Sequence, residues 1–467
     1  MELRLFNSLG KKIEVFKALK DKTVRIYTCG PTVYERAHIG NLASFIYADT
    51  LHRVLSSAGY KVEHVMNITD VDDKTIAASR QEFPDDDPKE ALKKLTGKYE
   101  KLFMKDLEAV GINTREIKFV RATDNVELMQ KLIQKLLDAG IAYIADDGIY
   151  FSISKYQAAG KTYGQLVEVT ADSTEESRIN NDDYDKDNAH DFALWKKAKP
   201  DEPAWDFTVD GKDMAGRPGW HIECSAMSAH ELGQPFDIHT GGVDLKFPHH
   251  ENEIAQSTAA DGDILASFFI HSEHLLVDDQ KMSKSLNNFY TLDDLKARGF
   301  EPLAFRLFAL QSHYRSQAHF SWQNLQHASN RLKHWRQVAA QWRETADTEW
   351  AQSFEISAGQ SDILRELTND LNTPEALERA DSEFDQIATL GAQTEPTQAW
   401  LSLMGQIETL FSLDVREKDP AIDKLVSKRE SARKKGDWDL ADQIRKQLEE
   451  QGIGVNDTDG GPIWYRV

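Results

Sequence analysis

The chain has 467 residues, a formal net charge of -21 and only two cysteines. That length is enough for about three domains of ordinary size, each with its own core, and excludes a small disulfide scaffold. Two thiols far apart in the sequence point to a reducing compartment and leave metal, catalytic or packing roles for them. The negative balance excludes indiscriminate coating of nucleic acid, because a long-range negative field repels phosphates. A local basic face remains open, and residues 428–435, KRESARKK, are the best place for one. The amino terminus has no continuous apolar segment of signal-peptide type, and no apolar run approaches the roughly 18 residues of a membrane span. These features predict a soluble cytoplasmic protein, with no membrane partner.

In chain order, Val24, Ile26 and Thr28 alternate with Arg25 and Tyr27 in a β-branched run that reads as a buried strand. It leads through a turn with Cys29 and Pro31 into a helical pattern of Leu42, Phe45, Ile46, Leu51, Val54, Leu55 and Ala58, stopped by Gly59. Residues 60–69 read as a second strand. Strand, turn, helix, strand opens a parallel α/β sheet, whose ligands bind beyond the carboxyl ends of the strands. Residues 89–110 and 124–139 have helical periodicity around a short extended piece, 117–123, and 143–153 read as a hairpin. Residues 171–189 are acidic and polar, as in a surface loop of an inserted, strand-rich domain. The sheet is expected to resume near Trp220, with a strand over 236–239 and a helix from about Pro248. From 323 onward the pattern is largely helical, ending in a tail with β character.

Two constellations carry chemistry. Lys281 to Ser285, KMSKS, places two lysines and two serines on a loop after Asp278 and Asp279, a cationic clamp suited to a pyrophosphate leaving group. His38-Ile39-Gly40-Asn41 stands at a strand-to-helix junction. There the glycine lets a nucleotide lie against the backbone, and the helix amino terminus offers N–H groups to phosphate. In this order the two motifs resemble the HIGH and KMSKS signature of class I aminoacyl-tRNA synthetases. CGPTVY at 29–34, NITDVDDK at 67–74, WHIECSAM at 220–227, FPHHENEIAQS at 247–257, HYRS at 313–316 and ARKKGDWDLAD at 432–442 narrow the resemblance to the cysteinyl-tRNA synthetase family, over essentially the whole chain. Related ligases that join cysteine to an amino sugar lack the tRNA-reading end that this chain has.

Residue chemistry also points to a metal. Cys29 and Cys224 are the only thiols, each read as lying in or beside a strand-end turn. His249 and Glu253 are four apart, on one side of a helix. Two sulfur donors, one nitrogen and one oxygen suit zinc, against the plainer readings of packed thiols and an exposed helix pair. The resemblance matches all four to the family's zinc ligands, one ion per chain.

The resemblance further implies that Trp220 walls the amino-acid pocket, that Gly30 and Thr69 help hold cysteine, and that His221 and His239 lie near the zinc. Gly242 and Asp244 match positions beside adenosine, so the ATP site comprises His38, Gly40, Asn41, Gly242, Asp244 and Lys284. His38, Lys281 and Lys284 would assist attack of the cysteine carboxylate on ATP, with Mg²⁺ on the phosphates, before transfer to the tRNA. Arg433, Trp438 and Asp442 match anticodon contacts, although Trp438 also shares a helical stripe with Ala441, Ile444 and Leu448 and reads equally as core. Asn41 replaces the family's usual second histidine, and Asn287 a usual glycine. The implied architecture is α/β, a Rossmann-type parallel-sheet catalytic domain (1–125 and 217–275) split by a connective insertion (126–216). A KMSKS linker (276–325), a helical domain (326–415) and a small mixed anticodon-binding end (416–467) follow, in a monomer.

Overall fold

The computed structural model describes residues 2–167, 191–277, 279–282, 288–340, 361–390, 398–415, 419–458 and 461–466. The acidic stretch 171–189 and Asp278, Lys284 and Asn287 therefore lie outside the described residues.

Five parallel strands form the central sheet: β1 (Thr23–Thr28), β2 (Lys61–Ile68), β3 (Ile117–Arg121), β4 (Phe236–Gly242) and β5 (Ala266–Ser272), in spatial order β5-β4-β1-β2-β3. Strand order thus reverses between β1 and β4, with Thr28 opposite Thr240. Such a switch point leaves a crevice beyond the strand ends, because the connections on either side leave in opposite directions. Helix α1 (Ile39–Ser57) crosses from β1 to β2, capped by His38 and followed by Gly59 at φ +91°, a conformation that glycine adopts without a Cβ penalty.

The alternation in β1 does not mark a wet face. Val24 and Ile26 pack into one core with α1, while Tyr27 joins a second core on the other face. Arg25 is buried too, its guanidinium 3.2 Å from Asp237 and donating to the Leu232 and Pro235 carbonyls. A parallel sheet covered on both faces leaves no solvent side for such a residue, so it is paired instead.

The sheet does not resume at Trp220. That residue opens helix α2 (Trp220–Leu232), and the strand returns only at Phe236. The turn Lys246–His250 is π-helical with Phe247 in an extended conformation, and regular helix, α3, runs over Glu251–Asp261. A four-stranded antiparallel sheet (Ala142–Ile144, Gly148–Phe151, Phe192–Lys197, Gly216–Pro218) lies between the two halves of the parallel sheet in sequence. Helices Trp322–Ala340, Asp362–Leu367, Thr373–Leu390 and Gln398–Phe411 follow. The carboxyl end packs α4 (Pro420–Lys434) and α5 (Trp438–Glu450) on the hairpin Ile453–Thr458/Gly461–Arg466 around its own small core of Ile422, Val426, Ile444, Leu448, Ile453 and Trp464. Among the described residues no helix is long and apolar enough to cross a membrane.

Candidate active site at the sheet switch point

A cavity of about 340 Å³ opens where β1 and β4 part, lined by Thr28, Cys29, Gly30, His38, Trp220 and Asp244 among others. Its floor and its α1 end differ in chemistry.

Cys29 follows β1 directly, but Cys224 stands inside α2, one turn from its start, rather than at a strand end. The helix swings its thiol beneath the switch point, to 3.8 Å from the Cys29 sulfur. From α3, Glu253 sends Oε1 to within 3.1 Å of His249 Nε2 and 3.9 Å of Cys29 Sγ. The donor atoms of Cys29, Cys224, His249 and Glu253 lie within 4.8 Å of one another, and all four residues are buried. Burial pushes both thiols and the Glu253 carboxyl upward, for Cys29 reinforced by Cys224, and it holds His249 well below its ordinary range. Left to themselves these groups favour their uncharged forms. A divalent cation reverses that preference by stabilising thiolate and carboxylate together, and a pair of sulfurs with one nitrogen and one oxygen fits zinc.

Around these donors, His221 Nδ1 contacts His249 Nδ1 at 2.9 Å and His239 Nε2 contacts Glu253 Oε2 at 2.9 Å, so each fixes a donor from behind. His250 was not singled out in the sequence. Its Nε2 lies 3.3 Å from Cys29 Sγ, and with Cys29, His239 and Glu253 it forms a second donor set. Its Nδ1 meets His271 at 2.8 Å, and His271 meets the Ser8 hydroxyl at 2.8 Å. The adjacent histidines in FPHHENE were the available signal.

The Trp220 ring stacks on His249 with centroids 4.2 Å apart, bordering the cavity. Gly30 lies where a Cβ would come within 1.7 Å of the Asn67 carbonyl oxygen. Its N–H donates to Asn67 Oδ1 at 2.8 Å, Asn67 Nδ2 to Thr69 Oγ1 at 3.1 Å, and the Thr69 hydroxyl to Glu223 Oε2 at 3.0 Å. Thr69 is therefore buried behind the Gly30 turn.

At the other end His38 caps α1. Its Nδ1 accepts from the Asn41 N–H at 3.2 Å while Asn41 Oδ1 accepts from the His38 N–H at 3.3 Å, a reciprocal capping box. With Nδ1 accepting, the neutral ring carries its proton on Nε2. Burial lowers the His38 pKa to about 4, against the opposing pull of Glu35 and Asp244, so the ring is neutral near pH 7. The space over Gly40 is taken by Met282, whose Cε would lie 2.5 Å from a Cβ there, so the glycine lets the Lys281 segment approach the helix start. Lys281 is exposed, on a short strand opposite Leu276. Gly242 and Asp244 border the same cavity.

In the carboxyl-terminal unit, α5 buries Ala441, Ile444 and Leu448 but leaves Trp438 61% exposed, so the core reading of that ring fails. A tryptophan in the first turn of a helix projects beyond the apolar stripe it nominally continues. Asp442 is exposed, and Arg433 pairs with Asp457 at 2.5 Å.

Residues 15–330 match the family described as tRNA synthetases class I (C) catalytic domain, and residues 416–466 the cysteinyl-tRNA ligase anticodon binding domain. Among curated relatives, the cysteine–tRNA ligase of Koribacter versatilis is 39% identical over the full length of both chains. That of Chlamydia muridarum is 40% identical over 99% of each. A Mycobacterium tuberculosis methionyl-tRNA synthetase in complex with methionyl-adenylate superposes with a TM-score of 0.56 at 15% identity, over 84% of this chain and 92% of its own. That likeness concerns the fold.

Proposed function

The chain belongs to the cysteine–tRNA ligase family, ligases that join cysteine to tRNA, and from that premise we propose how its own residues divide the work. Cysteine enters with its side chain toward the thiol-lined floor, ATP lies with its phosphates toward the α1 amino terminus, and the cysteine carboxylate attacks the α-phosphorus in line. A carboxylate–phosphorus bond forms as the bond to pyrophosphate breaks. His38 donates from Nε2 to a phosphate oxygen, and Lys281 and Lys284 offset the charge growing on the leaving group, with Mg²⁺ accompanying ATP as substrate. Gly242 and Asp244 face the adenosine, the carboxylate accepting from ribose hydroxyls. A ribose hydroxyl of the tRNA then attacks the activated carbonyl and AMP leaves.

Cys29, Cys224, His249 and Glu253 would hold one zinc ion, which when bound supplies a soft site for the substrate sulfur. Trp220 closes the side of the pocket, and the Thr69–Asn67–Gly30 chain holds the turn beside it. Shape alone separates near-isosteres by about a hundredfold in an apolar pocket, so a serine competitor calls for this chemistry rather than size. Among the described residues, the observation that carries the reading is the convergence of two buried thiols, an imidazole and a carboxylate on the cavity floor. Arg433, Trp438 and Asp442 form the anticodon face, with the exposed indole free to stack on a base.

The test is Cys224→Ser, assayed for bound zinc and for ATP–pyrophosphate exchange with cysteine and with serine. Loss of the metal and a fall of at least about a hundredfold in cysteine-over-serine preference is expected. A variant that keeps its selectivity would overturn the proposed role.

A further inference from the structure

The pocket floor is joined to the protein surface by side chains that the reaction above does not use. Thr28 and Thr240, register partners at the switch point, bond through their hydroxyls at 2.7 Å, and both line the cavity. On the far side of Thr28, its Oγ1 meets His64 Nε2 at 2.8 Å. His64, from β2, meets His52 of α1 Nδ1 to Nδ1 at 3.2 Å. His52 Nε2 lies 3.4 Å from Glu116, whose side chain is 58% exposed. His64 and Glu116 also line a second cleft of about 400 Å³, with Arg115, Lys118 and Glu231. Thr28, His64 and His52 are buried.

One proton arrangement satisfies every link. Thr240 donates to Thr28, Thr28 to His64 Nε2 and His64 from Nδ1 to His52 Nδ1, which leaves the His52 Nε2 proton facing the Glu116 carboxylate at 3.4 Å. Each member holds one proton to give and one lone pair to receive, so a proton entering at Thr28 displaces one along the line and out at Glu116. We infer that Thr28, His64 and His52 form a proton path between the amino-acid cavity and solvent at Glu116. This rests on the reading that cysteine is held as its thiolate. The S–H bond then breaks at the buried floor of the cavity, the electron pair stays on sulfur, and the proton has to leave.

The charged neighbours suit a relay. Asp49 lies close to both imidazoles but is held by Arg53 and Arg306, so it neither takes the proton nor leaves a net negative charge. Burial keeps both rings below their ordinary pKa, His64 at about 3, so they pass a proton on rather than store it. Glu63, on the same strand as His64, is paired with Lys61 at the surface.

The experiment mixes the full-length zinc-loaded protein with cysteine in weakly buffered solution containing a pH indicator and follows proton release by stopped flow. In His64→Gln, whose amide keeps a hydrogen bond to Thr28 but does not relay, the release rate should fall at least tenfold, with little change in cysteine affinity and zinc content. His52→Gln should do the same, and its milder burial change guards against misfolding of the first variant. Wild-type release rates in folded variants of both kinds would overturn the path. No proton release from the wild-type protein would instead overturn the thiolate reading, and the path with it.

Discussion

The two ends of the switch-point cavity are built from different materials, and the proposed function gives each a different task. The floor is buried: Cys29, Cys224, His249 and Glu253 come from a strand end and two helices, and other histidines brace them from behind. The α1 end is half-open, built from a helix amino terminus and one imidazole, with the exposed Lys281 next to the Met282 that packs over Gly40. Discriminating sulfur from oxygen needs fixed donors in a low dielectric, where an unpaired charge is costly and the right partner is correspondingly favoured. Holding a triphosphate needs directed N–H groups and cations that reach their partner when it arrives.

That contrast is broken most sharply by His38→Ala. Adenylate formation should slow by about 10² to 10³, while zinc content and cysteine binding stay as in the wild type, because the ring does not touch the floor. Pre-steady-state pyrophosphate release and metal analysis decide it; a loss of zinc would mean that the two ends are one unit.

Next comes a comparison within the carboxyl-terminal unit. Ile444→Ala should cost about 2–5 kcal/mol of that unit's stability, since the residue lies in its small core. Trp438→Ala should leave the melting temperature unchanged and weaken tRNA binding by about 1–3 kcal/mol, the value of a stacked base. If Trp438→Ala lowers the melting temperature as Ile444→Ala does, the exposed ring is structural.

A pH series sharpens the difference in burial. His64 titrates at about 3 in the folded protein and near 6.5 when unfolded, so between those values the unfolded chain binds more protons. Its contribution is present above about pH 6.5 and is lost as pH falls toward 3. Asp70, raised to about 6 by burial, works in the opposite sense, favouring the folded state more at acid pH. Urea midpoints of wild type and His64→Gln at pH 7.5, 5.5 and 4.5 isolate the histidine: the variant should lose less stability on acidification. Equal slopes would refute the assignment.

The smallest effect is expected for Asn41→Ala, which removes one half of the capping box and should cost about 1 kcal/mol of stability. The His38 tautomer should be kept, because the backbone N–H of residue 41 still donates to Nδ1. In this chain the asparagine has a stated job, holding the His38 backbone, which the replaced family histidine did not reveal.

Much of the site was legible in the residues. The order of HIGN and KMSKS, the two thiols and the spacing of His249 and Glu253 carry chemistry in their types and intervals, and β1, α1 and β2 follow from local periodicity. Less legible was anything set by partners distant in the chain. The helix that carries Cys224 was hard to read because WHIECSAM buries apolar and polar side chains alike and so shows no clean period of either kind. Nothing near Arg25 in the sequence points to its partner Asp237, which is remote in the chain. By itself, then, the sequence determined the family of the protein, and with it the candidate donors and phosphate motifs. Only the tertiary structure decided which side chains share one space, bringing His239 and His250 to Cys29, His271 behind His250, and His64 and His52 behind Thr28. The physical reason is the strand order, since placing β4 beside β1 makes neighbours of residues that no local pattern relates.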